Sequence, residues 1–416
     1  MKLEALRYHK YKKPGKIQVV PTKETKTPKD LSLAYSPGVA EPCLEISSNS
    51  KLVYDYTNKG NLVAVITNGT AVLGLGNIGP EASKPVMEGK AVLFKIFADI
   101  DSFDIEINTE KVDEFVRAVE LISPTFGGIN LEDISAPACF EIEDKLTKSL
   151  SIPVMHDDQH GTAIVSAAAL INAIELAGKN LSDIKLVMNG AGAASIACAN
   201  LYLSIGLSKD NLLLFDSKGL ISESRDDLNK YKLPFANSKF PKDLSLSDAL
   251  EGADAFVGLS KADVITEDMV KSMAKNPIIF ALANPNPEIS YDLAMASRKD
   301  IIFATGRSDY PNQVNNVLGF PYIFRAALDV KATAINEAMK IAAVKAIAAL
   351  VKQPITPELI DLYGIRELSF GPNYIIPKPF DKRLLPNISK AVAKAAIETG
   401  VATKTDFDLN TYFSNL

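Results

Sequence analysis

Asp183-Ile-Lys-Leu-Val-Met-Asn-Gly-Ala-Gly-Ala-Ala-Ser195 decides how this chain of 416 residues folds. Asp183 to Met188 reads as a buried strand, and Asn189-Gly-Ala-Gly192 as a tight turn. From Ala193 to about Ile205 there is neither proline nor glycine, so a helix follows, ended by Gly206. Asn211-Leu-Leu-Leu-Phe215 is the next strand, with Asp216 at its C-terminal end. Further apolar runs lie at 254–259, 277–282 and 301–305. Short apolar strands alternating with helices imply an α/β fold with a parallel, doubly wound sheet. In that setting Gly190 permits the turn, and Gly192 and Ala193 open a helix whose N-terminus can take a pyrophosphate. Ser195, small, stands where a third glycine is usual. Asp216 is placed to accept hydrogen bonds from ribose hydroxyls. Asn284-Pro-Asn-Pro287 follows another strand end, where ligands of such sheets sit, so Asn284 is placed for nicotinamide or substrate. The polar stretch 305–320 contains Asn315-Asn316, residues suited to a turn or to reading a carboxylate.

Working upstream, Val154-Met-His-Asp-Asp-Gln-His-Gly-Thr162 is a dense polar knot. It lies between a short apolar run and an Ala-rich helix expected from Ala163 to about Ala177. Asp157 and Asp158 sit where strand meets helix. A second acidic pair, Glu132-Asp133, ends the stretch Phe126–Ile134, which reads as a loop. Its neighbours Ile129, Leu131 and Ile134 are apolar, and carboxylates held among apolar groups need a partner charge or a metal. The knot therefore reads as a seam between two domains, 1–155 and 156–416, with a divalent metal held across it.

Gly74-Leu-Gly-Asn-Ile-Gly79 is a second glycine-rich match to the dinucleotide pattern, after the strand Asn61–Thr67. We discount it, because the segment that should be its helix contains Pro85 and stops at Gly89. Ala91-Val-Leu-Phe-Lys-Ile-Phe97 then reads as a strand led by Lys90, which follows Gly89 and is expected to be partly buried. Pro37-Gly38 is a turn that presents Tyr35, and residues 111–122 form a helix with an apolar face.

The totals are those of a soluble globular protein, 47% hydrophobic and 23% charged, long enough for two domains. A net charge of −5 argues against general nucleic-acid binding. The basic start (Lys2, Arg7, Lys10, Lys12, Lys13, Lys16) reads as a solvated helix and arm. Cys43, Cys139 and Cys198 are far apart; a reducing, cytoplasmic setting is expected, with Cys139 and Cys198 packed as small hydrophobes. No apolar segment follows the basic start, so no secretory signal is expected. The apolar helix near 332–351 carries Glu337, Lys340 and Lys345, which argue against a membrane span.

Six motifs fall in one order: Tyr35-Ser-Pro-Gly-Val39, Gly74–Gly79, Glu88-Gly-Lys90, Asn130-Leu-Glu-Asp133, His156–Thr162 and Gly190-Ala-Gly192. In this the chain closely resembles the malic enzymes in their small bacterial and archaeal form, from about residue 15 to about 390. The resemblance implies oxidation of L-malate with NAD or NADP and decarboxylation to pyruvate and CO2, using Mg2+ or Mn2+. It implies Tyr35 as general acid and Lys90 as general base, with Asp157 near the lysine. It implies Glu132, Asp133 and Asp158 as metal ligands, and Gly190, Gly192 and Asp216 at the cofactor. Asn284 and Asn316 match side chains that meet nicotinamide and malate, and 74–79 matches a substrate-side loop. A dimer is implied too, with no nucleic-acid or membrane partner. Three carboxylates are hard ligands suited to Mg2+ or Mn2+. A lysine beside a dication in a partly apolar site is expected to have a lowered pKa. Larger members carry an arginine before the glycine loop for a malate carboxylate; Asn68-Gly-Thr-Ala-Val72 has none, and Asn316 with backbone amides is expected in its place. Lys218, two residues past Asp216, leaves the choice between NAD and NADP open. No large C-terminal extension is present, so no fused second enzyme is expected. Two other readings stand beside this one: a malolactic-type enzyme that keeps its NAD and releases lactate, and a regulatory protein on the same frame, which the intact Tyr35, Lys90 and carboxylates oppose.

Overall fold

The computed structural model describes residues 2–365, 368–406 and 408–414. It contains two sheets. The first holds β1 (Leu62–Thr67), β2 (Asp101–Glu106), β3 (Gly128–Leu131) and β4 (Val154–His156), all parallel, in the order β2-β1-β3-β4. The second holds β5 (Leu186–Asn189), β6 (Leu212–Asp216), β7 (Gly219–Leu220), β8 (Ala255–Gly258), β9 (Ile278–Ala281) and β10 (Ile302–Thr305). Its order is β10-β9-β8-β5-β6-β7, parallel except for β7, which is antiparallel to β6. From β5 the chain first goes one way to β6 and later the other way to β8. That reversal opens a crevice beyond the C-terminal ends of β5 and β8, as expected of a doubly wound sheet.

Apart from the half-buried edge strands β2 and β7, the strands are buried on both faces, and their side chains divide with a period of two. Val63 and Val65 of β1 join one core, while Leu62, Ala64 and Ile66 join another. Leu186, Met188, Leu212 and Leu214 turn to the same core as Val63, while Val187, Leu213 and Phe215 face away. The first core is therefore common to both sheets. Its centre is the helix Asp157–Ala177, which buries Ile164, Val165, Ala168, Leu170 and Ala173 among others and packs on the helices Ala193–Ser204 and Glu337–Leu350. A helix apolar on all sides belongs inside a protein. It is also the one helix among the described residues long and apolar enough to cross a bilayer, and 72% of its apolar window is buried here.

Three expectations are corrected. The run Ala91–Phe97 is no strand. It belongs to a helix spanning Pro80–Ala98, with Pro85 inside it and Lys90 in its middle. Ser83, Met87, Lys90, Ala91, Phe94 and Ala98 share its buried face. A proline in a helix interior costs about 3 kcal/mol. Each large apolar side chain buried returns roughly 1.5–3 kcal/mol, so Met87 and Phe94 offset it before the rest of the face is counted. Apolar residues on the other faces (Val92, Leu93, Phe97) blurred the helical period. Gly128–Leu131, read as loop, is a strand, too short to show alternation after the glycine pair. The central helix begins at Asp157 rather than Ala163, so the polar knot is its first turn. β2 and β7 were not read from the sequence, while β1, β5, β6, β8, β9 and β10 and the helices Val112–Ile122 and Ala193–Ser204 lie where the pattern places them.

Candidate active site

Two strand ends and two helices build a carboxylate cluster. Glu132 and Asp133 follow β3 directly, Asp157 and Asp158 follow β4, and Lys90 enters from the Pro80–Ala98 helix. β3 and β4 are hydrogen-bonded neighbours, so the two acidic pairs emerge side by side. Lys90, 9% exposed, places Nζ 2.6 Å from Asp157 Oδ2 and 2.8 Å from Glu132 Oε1. Its ammonium also lies 4.3 Å from the centre of the Phe320 ring, a cation–π contact. The Asp133 backbone N–H donates to Asp158 Oδ2 at 2.7 Å, and Asn130 Nδ2 donates to Glu132 Oε2 at 2.9 Å. A Cβ on Gly161 would fall 2.1 Å from Asp157 Oδ1, so only glycine admits the Asp157 carboxylate beneath the helix start.

Four carboxylates thus face one ammonium, and all but Asp158 are buried. The electrostatics follow. Burial, then the neighbouring acids, push the Glu132 carboxyl well above the usual range despite the pull of Lys90. Burial and the Asp158 charge push Asp133 up to about 7. Burial opposes the Lys90 charge, but Asp157, Glu132 and Asp158 outweigh it and hold the ammonium well above an ordinary lysine. This is the balance among the protein's own groups; the lowered lysine expected from the sequence belongs to the site with a dication beside it. One ligand oxygen from each of Glu132, Asp133 and Asp158 lies within 4.8 Å of the others, and Asp133 Oδ2 is buried with no hydrogen-bond partner in the structure. Buried excess negative charge with a free oxygen fits a hard divalent cation.

Asn316 adjoins the cluster. Its Nδ2 donates to the Asp157 backbone oxygen at 3.2 Å and to Asp157 Oδ2 at 3.1 Å, and its Oδ1 accepts from Thr162 at 3.1 Å. Its amide is thus turned to Asp157. Tyr35 lies apart. It caps the Pro28–Ala34 helix, which buries no residue, and it is 72% exposed, with no hydrogen bond or ring contact to the cluster among the described residues. Asn68, where an arginine was missed, is buried and accepts from Thr70 at 2.7 Å, and Thr70 in turn accepts from the Ser135 N–H at 2.9 Å.

The crevice of the second sheet carries the other expected residues. Gly190 has φ +113°, and a Cβ there would stand 2.3 Å from the Leu259 backbone oxygen, which no side chain could accept. In front of Gly192 there is open space, and the Ala193–Ser204 helix starts with no side-chain cap, leaving its N–H groups for a ligand. Ser195 Oγ donates back to the Gly190 oxygen at 2.6 Å. Asn284 is exposed at the end of β9. A side chain on Gly74 would meet the Asn284 backbone oxygen at 3.0 Å, so the 74–79 loop lies against the crevice from the first sheet's side. The ground for setting it aside, an interrupted helix, does not hold, because Pro80–Ala98 runs on through Pro85.

Asp216 differs from the expectation. Its carboxylate is gripped by Arg225 at 2.8 and 3.0 Å, by Lys232 at 2.7 Å and by the Lys218 N–H at 2.9 Å. Burial works against its charge, but Arg225 and Lys232 hold it down at about 2. Arg225 and Lys218 also bind Asp227. Arg225 and Lys232 escaped sequence reading because a loop brings them back to the strand end. Glu143 did too, being one of several acids on an amphipathic helix.

A doubly wound crevice of the dinucleotide type thus lies beside a buried lysine–carboxylate centre in an α/β fold. The malic enzyme N-terminal domain matches residues 14–147 and the malic enzyme NAD-binding domain matches 159–370, and the chain belongs to the malic enzyme family. An NADP-dependent malic enzyme of Escherichia coli is 57% identical over 100% of this chain, but the match covers 55% of that protein. The chain spans about half the length of that and several other curated relatives. A bifunctional malic/malolactic enzyme of Bacillus subtilis is 56% identical over 97% of this chain and 94% of its own length. The crystal structure of the Pyrococcus horikoshii malic enzyme superimposes with a TM-score of 0.90 at 41% identity, covering 100% of this chain and 94% of that one.

Proposed function

We propose that this chain oxidises L-malate with NADP and decarboxylates it to pyruvate and CO2, with Mg2+ or Mn2+, in the cytoplasm. The observation that carries this reading is Lys90 held at 2.6 and 2.8 Å by Asp157 and Glu132, beside the three-carboxylate group and next to the crevice. A divalent ion held by Glu132, Asp133 and Asp158 would polarise the C2 oxygen of malate and relieve the carboxylate pull on Lys90. Lys90 would take the C2 hydroxyl proton, with a bound coenzyme supplying the hydride acceptor, and Asp157 would hold the ammonium so formed. Asn316 keeps Asp157 aimed at Lys90. Asn284, at the rim where the Gly74 loop meets the second sheet, orients nicotinamide or substrate. Ligands come from both sides of the 155/156 boundary, which is the reading of the seam offered above.

Tyr35 is the proton donor to C3 in this scheme, and its exposed place bears on assembly. Leu31, Leu33, Val39 and Leu44 flank it and are also exposed, as in an interface awaiting a partner. We read the functional unit as a homodimer closed through this face. For the coenzyme, Lys218, Arg225 and Lys232 gather around Asp216 and Asp227, leaving a positive surplus where a 2′-phosphate would sit.

The test is reduced-nicotinamide absorbance with L-malate, Mn2+ and either NADP or NAD, with pyruvate and lactate assayed alongside. Equal amounts of pyruvate and reduced coenzyme, abolished by a chelator, are expected. The Bacillus subtilis relative gives a second reading weight: lactate formed with no free reduced coenzyme would replace the proposal with malolactic chemistry. Absence of turnover with either coenzyme would overturn both.

A further inference from the structure

The start of the central helix is held by one carboxylate outside the cluster. Glu143 lies on the helix Ala138–Ser149, and its side chain is 13% exposed. Oε1 accepts the His156 backbone N–H at 2.8 Å. Oε2 accepts from Gln159 Nε2 at 3.2 Å and lies 3.0 Å from His160 Nε2. These three partners bracket Asp157 and Asp158. His156 is the N-cap of the helix and supplies no side-chain cap of its own. On the far side, His160 Nδ1 lies 3.4 Å from Lys340 Nζ, and Lys340 pairs with Glu337 at 2.9 Å. A cavity of about 270 Å³ opens beside the group, lined by Phe140, Glu143, Thr147, Gln159, His160 and Lys340. With open space there, side-chain packing does not fix the helix start from this side; the Glu143 hydrogen bonds do.

We propose that Glu143 is a positioning residue for the metal centre: it anchors the first turn that carries Asp157 and Asp158, and so sets where Asp158 meets Glu132 and Asp133. This rests on the reading of those three carboxylates as metal ligands. Groups that orient metal ligands from outside typically account for about 10- to 100-fold in metal affinity.

The experiment titrates Mn2+ into the metal-free full chain, following free Mn2+ by electron paramagnetic resonance. Wild type, Glu143→Ala and Glu143→Gln are compared, with NADP affinity measured by calorimetry on the same samples. Glu143→Ala is expected to weaken Mn2+ binding about 10- to 100-fold, with NADP affinity within about twofold of wild type. Glu143→Gln fills the same space and keeps one carbonyl oxygen for the His156 N–H, so it is expected to recover part of the loss. Should Glu143→Ala not fold, Glu143→Gln alone decides, with at least a threefold loss expected. Wild-type Mn2+ affinity in Glu143→Gln and in any folded Glu143→Ala overturns the proposal. So does an equal loss of Mn2+ and NADP affinity, which would mark a general loosening. Failure of the wild type to bind Mn2+ overturns the metal reading and this inference with it.

Discussion

At the ends of β3 and β4, four carboxylates share a single ammonium; at the end of β6, a single carboxylate is shared by Arg225 and Lys232, with Lys218 close behind. Both places are acid–base clusters at strand ends, and their imbalances have opposite sign. The first is buried and short of positive charge, which raises Asp133 to about 7 and leaves one of its oxygens without a partner. The second is half open and rich in positive charge, which holds Asp216 at about 2. An unbalanced cluster advertises its missing partner: a hard cation in one case, an anion in the other.

The contrast fails first if Lys90 is not the proton-transfer group. Lys90→Met is expected to lower kcat by about 10²- to 10⁴-fold, the usual contribution of a positioned acid–base group, while NADP affinity by calorimetry stays near wild type. A fall of less than tenfold would move proton transfer elsewhere. Asp158→Asn sharpens the same side: Mn2+ affinity should drop by more than the roughly 100-fold ceiling of an outer-shell change, and an unchanged titration would remove Asp158 from the ligand set. The positive cluster is tested by Lys232→Gln. NADP affinity should weaken about tenfold, ~1.4 kcal/mol, and NAD affinity hardly at all. Equal losses for both coenzymes would show that Lys232 serves Asp216 and not a phosphate.

The smallest effect lies in pH. A carboxyl whose folded pKa is about 7, against an ordinary value of 3.8, binds a proton more tightly folded than unfolded. The metal-free protein therefore loses that stability as pH rises from near the unfolded value through the folded one. A cation at Asp133 competes with the proton, so the gain in Tm on adding Mn2+ should be larger at pH 8 than at pH 5. A gain that is flat across this range would separate Asp133 from metal binding.

Much of this was readable from residues alone, for physical reasons. The Asp183–Ser195 segment shows its strand, turn and helix because each is bounded by a residue with one purpose. The acidic pairs stood out because Ile129, Leu131 and Ile134 bracket one of them. Lys90 was singled out, but its helix was not. Apolar residues cover several faces of Pro80–Ala98, so no period survives, and Pro85 suggests a break that burial overrides. Arg225 and Lys232 could not be found, because only the loop after β7 decides which cation returns to Asp216. The balance of charge around Lys90 was not legible, because it depends on how many carboxylates surround it, which spacing along the chain does not reveal.

One feature of the core reaches beyond catalysis. Val63 and Val65 of the first sheet and Leu186 and Met188 of the second pack in a single cluster around Asp157–Ala177. Neither sheet can keep its inner face covered once that helix leaves, so the two halves share one melting event rather than two. Under the proposed function, coenzyme in the crevice and metal at the carboxylates would both delay that event, and a calorimeter would see a single peak move for either ligand.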